Sequence, residues 1–476
     1  MFEEENEEDW LNHDYQRSLA NFDEMYERNE YIYIDSEDVE FILDHLMISN
    51  QLNKAEWAAE KALQHFPTNS TIIIRQAQVM SMTGNTNTAL KKLINLEQIE
   101  PNNLDVLLSI ASCYSQLKHS DQSVKYFRKA FLVATGDEKI EIAIDLAMEL
   151  ESKEDYQSAI NILTSTIKEG FISDLMAYEL AHCYEKIGDY ENAVKSFLSY
   201  IDEDPYSYTS WYNLGNTYSK MDKTEEAIWA YEYAIVIQDD FVPALYNIAN
   251  AYLDANKIES ALEYYKKCLE LDKNDPMVFC SMGECYEELA NYEKAYEMYH
   301  KSTVLLPQLS DAWLGKGIMS DLMEKYTRAV QELLVAVDLE PDRGDYWRAL
   351  ANAYENKEQN EQALKAYEKA INLEPNDKEI IIDYLSFLAG QSMELVFEAV
   401  EKNKELINNN VTKMVLCYCH WMVGNQSESM IIFDEVLEND IILAKSLFLH
   451  FPEMNKASYF IDRLHELDES KDNEEF

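Results

Sequence analysis

Cys417-Tyr-Cys419-His420 sets two thiols and an imidazole within four residues, a donor set that a zinc-like cation could use. A tetrahedral site needs a fourth ligand and a turn that lets the ligands converge. The stretch from Met414 to Trp421 reads instead as helix, where the neighbours Cys419 and His420 point apart. Two core cysteines beside an exposed histidine are expected there. Cys280 and Cys285 stand five apart on different helical phases and carry no metal signal. Gly315-Lys-Gly317 has the composition of a phosphate-gripping loop, yet it lies inside a helical pattern in which Gly317 takes a packing phase. The signatures G-x-x-x-x-G-K-[ST], H-E-x-x-H, G-x-S-x-G and G-x-G-x-x-G are all absent. An enzyme is therefore not expected, nor a cofactor or a bound metal.

The elements that carry these residues repeat. In Trp211-Tyr-Asn-Leu-Gly-Asn-Thr-Tyr218, the positions Trp211, Leu214, Gly215 and Tyr218 share one side of a helix. Steps of 34 residues from Trp211 reach Leu245, Phe279, Trp313 and Trp347, and in reverse Ala177 and Ala143. A step of 36 then reaches Leu107, and further steps of 34 reach Ile73 and Val39. Sixteen residues after each opening position stands a small residue, Ala55, Ala89, Ser123, Ala159, Ala193, Ala227, Ala261, Ala295, Ala329 or Ala363. Four further on come bulky residues such as Phe197, Tyr231, Tyr265, Tyr299 and Tyr367, and prolines such as Pro205, Pro307 and Pro341 fall at one later phase.

This pattern resembles the tetratricopeptide repeat, a helix–turn–helix unit of about 34 residues. The resemblance implies an all-α, right-handed superhelical solenoid in which each hairpin buries its apolar stripe against the next. The expected organisation is an acidic N-terminal segment with an amphipathic helix over 1–35, ten repeats over 36–377, divergent repeats and capping helices over 378–467, and a disordered acidic tail over 468–476. The amphipathic stripe is Leu11, Tyr15, Leu19, Phe22 and Tyr26, and the last helical pair is expected at about 441–449 and 454–467.

Lys and Arg number 40 against 89 Asp and Glu, a formal net charge of −49. Such a chain repels phosphate backbones and anionic lipid, so neither nucleic acid nor membrane is an expected partner. No stretch of about 18 apolar residues occurs. The acidic start lacks a basic leader, and seven cysteines on apolar stripes suit reduced thiols, so a cytoplasmic location is expected.

Function is then expected on the surface. In the family, first helices line a concave groove that takes protein segments. On those phases stand Tyr212, Asn213, Asn216, Tyr246, Asn247, Asn250, Glu284, Glu287, Arg348 and Asn352. A side-chain amide donates and accepts, so a ladder of them suits a peptide backbone, and tyrosines add contact area. Over residues 208–356 the inward cations are Lys220 and Arg348, against Asp254, Glu284, Glu287, Glu288, Asp311, Asp321, Asp345 and Glu355. The expected ligand is a neutral or basic protein or peptide segment, extended or helical, held by a non-enzymatic scaffold. Two other readings stand beside it: a self-assembling or complex-forming subunit, and a peptide-sensing regulator. The oligomeric state is open.

Overall fold

The computed structural model describes residues 17–30, 34–402 and 409–464. The expectations for the acidic start, for Leu11 and Tyr15, and for the tail from 468 onward lie outside these residues. Within them the chain is helix and turn, without a strand, and the helices pair into stacked helix–turn–helix repeats. Two compact units, residues 1–244 and 245–476, divide the chain inside one helix.

In the first unit α1 covers residues 17–28. The pairs that follow are α2 (Ser36–Ile48) with α3 (Leu52–His65), α4 (Ser70–Met82) with α5 (Thr86–Glu97), and α6 (Leu104–Gln116) with α7 (Ser120–Val133). Three more complete it: α8 (Glu138–Glu151) with α9 (Tyr156–Lys168), α10 (Asp174–Lys186) with α11 (Tyr190–Glu203), and α12 (Tyr208–Lys220) with α13 (Thr224–Ile237). The helix Val242–Asp254, α14, spans the division and precedes α15 (Ile258–Leu271). The second unit continues with α16 (Pro276–Glu288), α17 (Tyr292–Leu305), α18 (Ser310–Leu322), α19 (Tyr326–Leu339), α20 (Gly344–Asn356) and α21 (Asn360–Leu373). Next come α22 (Lys378–Gln391), α23 (Met393–Lys402), α24 (Asn410–Met422), α25 (Gln426–Asn439) and α26 (Ile441–His450). A 3-10 turn, Pro452–Lys456, separates α26 from α27, which is helical over 458–464. That turn, opened by Pro452, delays the last helix beyond the expected start at 454.

The small phases do what close packing requires. Ala77, Ala111, Ala147 and Ala181 are fully buried. A Cβ at Gly215 would stand 2.5 Å from the Tyr231 ring, and one at Gly317 2.5 Å from Leu333 Cγ. Neither position has room for a side chain, so the glycines let the second helix of each pair press its bulky residue onto the first.

Polar groups of the bulky residues are satisfied in a repeating way. The indole N–H of Trp211 donates to the Pro205 carbonyl at 3.0 Å, Trp313 to Pro307 at 2.9 Å and Trp347 to Pro341 at 2.8 Å. Each opening tryptophan thus comes with a proline six residues earlier, where the chain turns from one hairpin into the next. The turn inside each hairpin needs one left-handed residue at a fixed phase. Gly84 and Gly188 supply it in two repeats, but Lys118, Asp222, Asn256, Ala290, Glu324 and Glu358 adopt it elsewhere.

At the N-terminal end, Phe22 of α1 is buried and Tyr26 meets Trp57 of α3 edge-on, with ring centroids 5.4 Å apart. Lys54 pairs with Asp23 at 2.6 Å, so α1 seals the first hairpin.

Candidate functional site

Within each unit, first helices touch not only their own second helix but also the next first helix: α4 meets α6, α8 meets α10, α10 meets α12, and in the second unit α16 meets α18 and α18 meets α20. First helices therefore pack side by side over α2, α4 and α6 and over α8, α10 and α12 in the first unit, and over α16, α18, α20 and α22 in the second. The residues expected to bind stand on the first helices α12, α14, α16 and α20.

In the first unit the inner face opens into a groove of about 750 Å³. Its walls come from α2, α4, α6 and α8, with Gln78, Met82, Leu108, Ser112, Asp145 and Met148 among the lining residues. Met82 and Met148 are 47 % and 53 % exposed there, flexible polarisable side chains of the kind that adapt to varied ligands. The polar lining is pre-organised: Ser115 donates to Glu149 at 2.7 Å, and Gln78 Nε2 to Ser109 at 3.2 Å. Burial, then the neighbouring Glu141, push the Asp145 carboxyl up. This groove lies N-terminal to residues 208–356, the stretch that carries the expected binding residues. Its signal was present in the same inward phases of the earlier repeats, where Gln78, Ser112 and Met148 stand at the Asn216 phase.

Tyr212, Asn213 and Asn216 sit on α12, half-buried. Asn213 and Asn216 line a smaller cavity of about 140 Å³ with Tyr178, His182 and Glu185 of α10 and Lys220. Asn216 has a second duty, since its Oδ1 accepts the Tyr231 hydroxyl at 2.8 Å. Asn213 makes no side-chain hydrogen bond among the described residues, so its amide is open to a ligand. Lys220 is already engaged, 2.6 Å from Glu185.

In the second unit, the Asn250 and Asn352 amides take the same structural part. Asn250 Oδ1 accepts from buried Tyr265, and Asn352 Oδ1 accepts the Tyr367 hydroxyl at 2.5 Å. Where the bulky residue is Tyr299, the acceptor is Glu287 at 2.9 Å. Where it is Leu333, the Asn phase carries Ile318, because a hydrocarbon needs no acceptor. The Asn ladder at this phase is thus tied to the core phenols. Tyr246 joins Ser281 at 3.1 Å, and Asn247 lies half-buried beside it in sequence.

Acid dominates this second inner face. Glu284 keeps an exposed surface, yet burial of its carboxyl, then Asp311 and Glu287, raise its pKa. Glu287 is raised by burial and by Glu288, against the Tyr299 hydrogen bond. Asp321 and Glu355 are likewise raised, with burial the largest cause. The one cation expected here, Arg348, is consumed by the next first helix, 2.7 Å from Glu379 and 3.3 Å from Asp383. Its positive charge is not offered to a ligand.

The stretches that resembled chemical sites are built into the scaffold. Lys316 is buried, 3.5 Å from Glu332 and over the Trp313 ring at 4.3 Å. Gly315 and Gly317 face Tyr299 and Leu333. Cys417 and Cys419 are buried, with Ser429 donating to the Cys417 carbonyl at 2.7 Å, while His420 is half-exposed against Phe397.

An all-α stack of hairpins with first helices packed side by side defines a helical repeat scaffold. Family profiles described as tetratricopeptide repeat match residues 104–134, 144–208, 196–228, 242–275, 264–297 and 344–377. The chain belongs to the tetratricopeptide repeat family, whose repeats serve protein interaction. Among solved structures it is similar to YrrB, described as a TPR protein with an unusual peptide-binding site, at 20 % identity over 40 % of this chain and 97 % of that one, TM-score 0.34. It is also similar to the APC/C hetero-tetramer Cut9-Hcn1, at 14 % identity over 81 % and 96 %, TM-score 0.40. A third likeness is to a tetratricopeptide repeat protein from Parabacteroides merdae, at 17 % identity over 52 % and 98 %, TM-score 0.42. No curated protein matches the chain. Among the described residues no helix is long and apolar enough to cross a membrane.

Proposed function

We propose that the chain is a non-enzymatic scaffold that takes an extended or helical protein segment, neutral or basic, along the inner faces of its first helices. The observation that carries this reading is the groove of about 750 Å³ walled by α2, α4, α6 and α8, where methionines give adaptable contact and Asp145 and Glu149 supply negative charge. Asn213 supports a second contact on α12, and the acidic face around Glu284 and Glu355 a third. The seven cysteines, all free and buried, suit a reducing compartment such as the cytoplasm.

Photo-crosslinking tests the groove. A benzoylphenylalanine at Ser112 or Met148 should join to a partner polypeptide, and the same group at Leu132, exposed on α7, should not. Equal yields at both places, or none from the groove, would defeat the reading. Asn213→Ala should weaken partner recovery without lowering stability, because that amide has no core duty.

One observation favours a second reading, docking through the outer face as a subunit of a complex. On α13, Trp229, Tyr233 and Val236 follow at i, i+4 and i+7 and remain exposed, with Trp229 and Tyr233 packed on Trp211 behind them. Trp229→Glu would abolish such assembly in sedimentation velocity while leaving groove crosslinks intact.

A further inference from the structure

A second cleft lies far along the chain from the groove over α4, α6 and α8. It opens between two successive hairpin turns of the second unit, α18–α19 and α20–α21, with a volume of about 540 Å³. Lys325, Arg328 and Lys357 line it, together with Tyr326 and Thr327. Among the described residues no carboxylate forms an ion pair with any of these three cations; Lys325 Nζ reaches only Met323 Sγ, at 3.6 Å. Other cations of the same unit do pair, Lys301 with Glu297 at 2.8 Å and Arg343 with Asp345 at 2.6 Å. In a chain with 89 acids against 40 bases, three unpaired cations at one opening call for a reason. Packing does not supply it, since the Lys357 phase carries Met221, Leu289 and Met323 in other repeats.

Arg328 is fixed in place by the protein itself. Its Nε donates to Ser320 Oγ at 3.1 Å, and its guanidinium lies over the Tyr296 ring, 4.2 Å from the centroid. Ser320 and Tyr296 are held in turn, donating to the two oxygens of the Glu332 carboxylate at 2.6 and 2.9 Å, with Lys316 Nζ 3.5 Å from the same carboxylate. This polar cluster occupies core positions. Lys316 stands where other repeats bury Ile248 or Leu350, Glu332 where they bury Ala230 or Ala366, and Tyr296 where they bury Ile228 or Leu262. Stability gives no reason for the exchange, because a buried ion pair adds little over well-packed hydrocarbon. Its effect is on Arg328: the ring and Ser320 set the plane of the guanidinium. The Nη2 group is enclosed without a hydrogen-bond partner, and Nη1 makes no hydrogen bond either. A forked donor locked at the wall of a cleft and short of acceptors suits an oxyanion.

We propose that this cleft binds a phosphomonoester carried on a protein segment, with Arg328 as the forked donor and Lys325 and Lys357 as flanking charges. Three cations exceed what one carboxylate would pair and match the near-dianion of a phosphorylated side chain. The cleft is far larger than a phosphate alone fills, which leaves room beside Tyr326 and Thr327 for the residues on either side of it. Glu324 and Glu358 line the same cleft and repel a run of phosphates, so the fit is to a single phosphoryl group and not to a polyanion. The neighbouring Asp321 is engaged, accepting from Asn356 Nδ2 at 2.7 Å. The site is separate from the groove of the first unit and does not rest on that groove's binding role.

Calorimetric titration of the full chain tests it, in about 0.15 M salt so that the net negative charge is screened. The probes are an alanine–phosphoserine–alanine peptide blocked at both ends, the same peptide with unmodified serine, and inorganic phosphate. The phosphoserine peptide should bind and the serine peptide should not. Arg328→Gln should weaken binding about tenfold or more, and Arg328→Lys severalfold, since it keeps the charge but not the fork. Lys357→Met, which installs the residue type that Met221 and Met323 show at this phase, should weaken binding severalfold without lowering the thermal midpoint. Should Arg328→Gln fail to fold, Lys357→Met carries the same test. Absence of binding by the phosphoserine peptide would overturn the site, as would equal binding of the serine peptide or an affinity unchanged in both Arg328→Gln and Lys357→Met. Inorganic phosphate binding as tightly as the peptide would overturn the assignment to a protein segment. Any of these failures leaves the crosslinking result at Ser112 and Met148 unaffected.

Discussion

Asparagine carries two meanings in this chain, and position decides between them. At the phase of Asn216, Asn250 and Asn352 the side chain closes a hydrogen bond from a buried tyrosine of the paired helix. Tyr265 is fully buried and donates to Asn250, with Ser281 also beside its hydroxyl. Asn250→Ala should therefore destabilise the second unit by about 1–2 kcal/mol, the consequence of leaving a buried hydroxyl poorly paired. Adding Tyr265→Phe to it should recover most of that loss, because both polar partners are then gone. Denaturant unfolding of the two variants measures the difference. Equal stability for the single and double variants would show that the pair does not depend on the amide. Asn213, one phase away, has no such partner, which is why it and not Asn250 is the position at which binding can be weakened without touching the core.

Each hairpin depends on a turn residue that the sequence hides. A left-handed backbone at Gly84 or Gly188 is legible, since glycine adopts it without penalty. The same conformation at Ala290, with φ of 50°, is not. Alanine there carries a Cβ against the following carbonyl and forms no side-chain hydrogen bond in return. Ala290→Gly should stabilise the second unit by about 1 kcal/mol, which thermal unfolding would show as a higher midpoint. An unchanged or lower midpoint would mean that the entropy of glycine in the unfolded chain outweighs the relief. Helix starts are the easier half of each element to read. Asp275 caps α16 by accepting from Met277 and Val278 at 2.8 and 3.3 Å, just before Pro276 at the first helical position, a pairing visible from residue types alone.

Charge sets the behaviour of the molecule as a whole. Burial is the largest cause that raises Glu179 to about 7, and Glu284, Glu287, Asp321 and Glu355 are raised in the same direction, so near neutrality the folded chain binds a proton at Glu179 that the unfolded chain does not. Stability should therefore rise as pH falls from 8 toward 6, the reverse of a protein held by ionised, paired carboxylates. A calorimetric midpoint that falls over that interval would contradict the assignment. For the basic segment proposed as partner, recovery should drop severalfold between low salt and about 0.5 M salt, because screening removes the long-range attraction.

Much of this architecture was legible because repetition multiplies a weak signal. A single Trp, Gly, Tyr and Ala spaced along a helix says little, but their recurrence at one period leaves no fold other than stacked hairpins that bury each other's apolar stripe. Side-chain size and spacing are local properties, and they survive in the sequence. The pairing of Tyr367 with Asn352, the capture of Arg348 by Glu379 and Asp383, and the groove over α4, α6 and α8 were not legible. Each joins residues on different helices, most of them in different repeats. Whether a polar group faces a ligand, a core phenol or an acid depends on which neighbour the stack brings against it, and that distance exists only after the helices have packed.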